Sequence, residues 1–75
     1  MIFLADFTVR VLGVLEWYEI VVHRFIKAKD LDEAWKKAEE YAQENTNDKI
    51  EWTADMVEEV KSLHDLLKDP VLTIE

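Results

Sequence analysis

From Ile2 to Val11 the apolar residues keep to alternate positions. Phe3, Ala5, Phe7, Val9 and Val11 share one parity, while Asp6, Thr8 and Arg10 occupy the other, the spacing of a half-buried strand. Beyond Gly13 the alternation resumes: Tyr18, Ile20, Val22, Ile26 and Ala28 stand opposite Trp17, Glu19, Val21, His23, Phe25 and Lys27. Two such runs predict an antiparallel β-hairpin bending near residues 13–16. No Asn-Gly or Asp-Gly pair is present there to set its register. The second run carries apolar side chains on both parities, which is unusual for a small sheet with one covered face.

The segment "KDLDEAWKKAEEYAQEN" changes period. Leu31, Ala34, Trp35, Ala38, Tyr41 and Ala42 recur at helical spacing, Asp30 is a good N-cap, and Glu33 follows three residues later. An amphipathic helix over about residues 31–45 follows, with Asp32/Lys36 and Glu33/Lys37 as i,i+4 pairs and "NTND" as its stop. Its apolar stripe is expected to lie across one face of the sheet.

The third stretch, "KIEWTADMVEEVKSLHDLLKDP", has two readings. Ile50 and Trp52 begin as a strand. From Thr53 onward Met56, Val57, Val60, Leu63 and Leu67 fit a helical stripe, Thr53 serves as a candidate N-cap, and Asp69-Pro70 would end the element. Local propensity favours a helix over residues 53–68. "VLTIE" alternates and reads as a closing edge strand. Together these elements predict an α+β fold in one domain, residues 1–75. It holds an N-terminal β-hairpin, an amphipathic helix packed on a small antiparallel sheet, and one or two C-terminal strands with room for a second helix.

The order of a hairpin, then "FIKAKDLDEAWKKAEEYA", then a Trp after a polar turn in "NDKIEW", then "EEVKSL", resembles small uncharacterised ββαββ domains of bacteria and phages. The resemblance implies a long strand after the Trp, against the propensity reading. It carries no activity, site or cofactor to this chain.

A chain of 75 residues buries a small core. With no cysteine it has neither disulfides nor thiolate metal ligands, a usage that fits the reducing cytoplasm. Asp6, Arg10, Glu16 and Glu19 interrupt the apolar N-terminal region, so a soluble, unprocessed protein is expected. Charge divides the chain: residues 1–29 hold three acids against four bases, whereas residues 30–75 hold 14 acids against five, within a net charge of -8. That balance disfavours direct contact with nucleic acid or anionic membranes and favours basic protein surfaces.

Candidate chemistry is sparse. Ser62, His64 and Asp65 have the residue types of a nucleophilic triad, but they sit too close in sequence to adopt its geometry, and no nucleophile elbow precedes the serine. No metal-binding spacing or phosphate-binding glycine loop is present, so neither metal nor cofactor is expected and the chain reads as non-enzymatic. Arg10, Arg24, Lys27, Lys29, Trp17 and Tyr18 offer only a modest basic and aromatic surface.

Two features point to protein partners. On a helix over residues 53–68, Glu51, Asp55, Glu58, Asp65 and Asp69 fall along one side, approximating the charge spacing of a phosphate backbone, and Glu51, Asp55, Glu58, Glu59 and Asp65 are the candidates for partner binding. Such a face suits a basic partner, as in phage or mobile-element inhibitors of the anti-CRISPR kind that block a host nucleic-acid-handling defence complex. The second is the surplus of apolar residues in the hairpin: Val14, Leu15, Trp17, Val21 and Phe25 are candidates for self-association as a homodimer. The alternative function is a structural or regulatory subunit that homodimerises and holds its partner by apolar contact.

Overall fold

The computed structural model describes residues 1–61 and the backbone of a short strand at residues 72–74. In chain order the elements are β1 (Ile2–Leu12), β2 (Trp17–Lys27), α1 (Leu31–Asn45), β3 (Ile50–Glu59) and β4 (Leu72–Ile74). The sheet runs in the order β3-β1-β2-β4, so the first strand of the chain lies inside it. β1 pairs antiparallel with both β2 and β3, and β4 adds a short parallel pairing to Arg24, Phe25 and Ile26.

Alternation in β1 sets the two faces. Phe3, Ala5, Phe7 and Val9 are buried beneath α1, while Leu4, Asp6, Thr8 and Arg10 turn to the open face. β2 is in register with it: Phe3 opposes Ile26, Phe7 opposes Val22 and Val9 opposes Ile20.

The Asp30 carboxylate accepts the Glu33 backbone N–H at 2.8 Å and starts α1. Glu33 returns the contact one residue before the cap, accepting the Lys29 N–H at 3.2 Å. At the far end the Thr46 hydroxyl donates to the Ala42 carbonyl at 2.8 Å and accepts the Trp52 N–H at 2.9 Å, tying the helix end to β3. Ala34, Ala38 and Ala42 form the buried stripe, and their small side chains let the helix backbone lie close to the strands. Leu31, expected in that stripe, is exposed at the first turn. Phe7, Tyr41 and Trp52 pack as a ring cluster with centroids 5.5–5.6 Å apart. The Arg24 guanidinium lies over Trp52 at 5.7 Å, and its Nε donates to the Tyr41 hydroxyl at 3.2 Å.

The propensity reading of residues 53–68 as a helix is overturned over its first part, because residues 50–59 form a strand. Its remainder, with Ser62, His64 and Asp65, lies outside the described residues. The reason is a β-bulge. Phe7 pairs with Ala54 and Asp6 with Met56, so Asp55 is an extra residue on β3 and the alternation changes parity there. Trp52 and Ala54 face α1, Met56 faces away, and Val57 faces α1 again and is buried. Across the bulge, successive inward residues are three apart, which mimics the spacing of a helix. β3 widens the sheet at the side of β1.

Candidate functional site

The strands are longer than the helix that covers them. Eleven residues of β1 extend about 36 Å at 3.3 Å per residue, against about 22 Å for the 15 residues of α1. Because α1 lies chiefly over β3, both ends of the sheet keep features that the core does not absorb.

At the end where β3 finishes, a cavity of about 530 Å³ opens between the first turn of α1 and the sheet. Phe3, Leu31 and Val57 give it apolar lining, beside Asp30, Glu59 and Lys61. Glu58 touches it from the last residues of β3 but pairs across from Leu4, so its side chain belongs to the open face, whereas Glu59 pairs across from Phe3 on the helix side. The Val60 N–H still bonds the Ile2 carbonyl at 2.9 Å and holds the strand end in place.

At the opposite end the hairpin projects beyond α1. Gly13 donates its N–H to the Glu16 carbonyl at 2.7 Å, closing a tight bend that leaves Val14 99% and Leu15 94% exposed. Tyr18 is 56% and Ile20 53% exposed on the helix side, and Val21 is 66% exposed on the open side. Trp17 is partly shielded by Arg10, whose guanidinium lies 5.3 Å from the ring centroid.

Between these ends the open face carries a belt of paired polar side chains. His23 Nδ1 lies 2.5 Å from Asp6 Oδ1, the Thr8 hydroxyl donates to Asp55, and Arg10 sits 3.6 Å from both Glu19 and Glu51. This belt interleaves with the apolar residues of the same face, Leu4, Val21, Phe25 and Met56. It also separates the cations proposed for a basic surface, since Arg10 lies on the open face and Arg24 is held on the helix side.

The acidic row expected on a helix is corrected, because its members lie on a bulged strand. Glu51 is engaged with Arg10 and Asp55 with Thr8. Glu59 lies on the groove side and Glu58 on the open face of the strand, and Asp65 lies outside the described residues. Of the hairpin residues, Val14, Leu15 and Trp17 gather at one end, whereas Val21 pairs with Thr8 farther along the sheet. Phe25 is half-buried, pairs across from Leu4, and stands eight residues along β2 from Trp17, a separation of about 26 Å.

The sequence reading did not single out Asp30 and Leu31 as groove residues, nor Ile20 as surface. The mismatch of helix and strand lengths was the signal for Ile20. Comparison with protein-family models, curated proteins and solved structures gives no match.

Proposed function

We propose that the chain is a non-enzymatic, acidic protein-binding module whose groove receives a basic side chain of a partner protein. The observation that carries this reading is the meeting of the apolar residues Phe3 and Val57 with the acidic residues Asp30 and Glu59 in one cavity, with Glu58 next to it on the other face of the strand. A lysine or arginine lays its aliphatic stem on apolar surface while its charged end meets acids, and the groove offers both in that order. The net charge of -8 steers basic surfaces toward the molecule from a distance. An inhibitor that occupies the basic channel of a host nucleic-acid-handling complex uses this chemistry, and that is the role we assign.

The exposed hairpin end favours a second reading, a subunit held to its partner by apolar contact. Calorimetric titration with a short peptide of alternating lysine and alanine separates the two. Binding that weakens at least tenfold between 50 and 300 mM salt, and again on Glu58→Lys with Glu59→Lys, supports the acidic groove. Affinity indifferent to both changes overturns it. Affinity purification from the native host then identifies the partner, with loss on Leu15→Ser alone marking the apolar route.

A further inference from the structure

Among the described residues, the outer side of β2 from Trp17 to His23 has no strand beside it, because β4 pairs only with Arg24, Phe25 and Ile26. An unpaired edge presents backbone N–H and C=O groups in a row and accepts an extended segment. Natural edge strands are usually blunted by charge, and the molecule's other edge follows that rule. β3 carries Glu51, Asp55, Glu58 and Glu59 with no base. The free stretch of β2 does not follow it, for Glu19 is its one carboxylate and Tyr18, Ile20, Val21 and Val22 fill most of the rest.

We infer that this edge pairs with the same edge of a second copy of the chain, antiparallel and two-fold symmetric about Ile20. The distribution of charge selects this occupant. Joining β3 to β3 would set four carboxylates against four, whereas joining β2 to β2 brings together the least acidic borders and keeps the acidic ones farthest apart. The free stretch, residues 17–23, is centred on Ile20. In that register Tyr18 meets Val22 of the partner subunit, Trp17 meets the partner's His23, and Ile20 meets the partner's Ile20.

Each pair joins positions of equal parity, so both helices stand on the same side of one continuous sheet. β4 acts as the stop that sets the register, since it occupies the edge beyond His23. This assembly is independent of what the acidic groove binds.

The chain has no native cysteine, so one introduced thiol reports the contact. Sedimentation from 5 to 500 µM is expected to show a dimer. Ile20→Lys should raise its dissociation constant at least tenfold with the circular dichroism spectrum unchanged, since Ile20 is already half-exposed. Ile20→Cys should cross-link to itself under mild oxidation, and Glu51→Cys on β3 should not. A monomer throughout that range overturns the inference, as does a dimer that cross-links through Glu51→Cys or a ladder of larger species marking head-to-tail pairing. Peptide titration of the same preparations keeps the two proposals apart, because a monomer that still binds in the groove refutes the dimer alone.

Discussion

At the scale of single residues, close approach matters more than backbone conformation. Gly13 does not adopt a positive φ, yet a Cβ there would overlap the Tyr18 ring and come within 2.9 Å of the Glu16 carbonyl oxygen. The ring is exposed and can swing aside, but the carbonyl belongs to the bend itself. Gly13→Ala is therefore expected to cost about 1–3 kcal/mol, read as a lower denaturant midpoint at unchanged slope. Asp30 does a simpler job, satisfying the Glu33 N–H at the start of α1. Asp30→Ala should lower stability by about 1 kcal/mol, whereas Asp30→Asn or Asp30→Ser should keep most of it. Equal loss in all three variants would mean that the carboxylate acts through its charge and not as a cap.

At the scale of elements, the bulge at Asp55 decides which side of β3 is buried. Val57 is in the core and Met56 is half-exposed on the open face, although a helix over the same residues would bury both. Val57→Asp is expected to lower stability by more than about 3 kcal/mol, and Met56→Asp by less than about 1 kcal/mol. Chemical denaturation of the two variants measures the difference, and equal losses would contradict the bulged register. The same element shows where sequence reading stopped. β1 and α1 were legible because each keeps one period from end to end, with Phe3 to Val11 at period two and Ala34 to Ala42 at helical spacing. β3 changes phase in its middle, so no single period describes it, and local propensity then pointed to a helix. The candidate acids were legible as charges, but their grouping was not. It depends on Glu59 lining the same groove as Asp30 from another element, an arrangement that only the pairing of β1 with β3 creates.

At the scale of the whole molecule, charge is distributed by edge. The β3 side is acidic, the β2 side nearly neutral, and the open face between them is occupied by the Asp6–His23 and Glu19–Arg10–Glu51 contacts. Crowding acids along one border opposes folding, and dissolved ions screen that repulsion. The melting temperature is therefore expected to rise by several degrees between 20 and 300 mM sodium chloride. Thermal unfolding followed by circular dichroism measures it, and a melting temperature that falls with salt would mean that attractive pairs such as Arg10 with Glu51 outweigh the repulsion. Reversing Glu58 and Glu59 together should flatten the dependence.

The internal position of β1 also bears on how the chain is made. Its neighbour β2 is translated directly after it, but its other neighbour, β3, begins at Ile50, some 38 residues after β1 ends at Leu12. At about 5–20 residues per second, a ribosome leaves one flank of that strand bare for roughly two to eight seconds. During that interval the nascent ribbon presents Phe3, Phe7 and Val9 without the element that later helps to enclose them, so its safe passage depends on how quickly the remaining segment emerges.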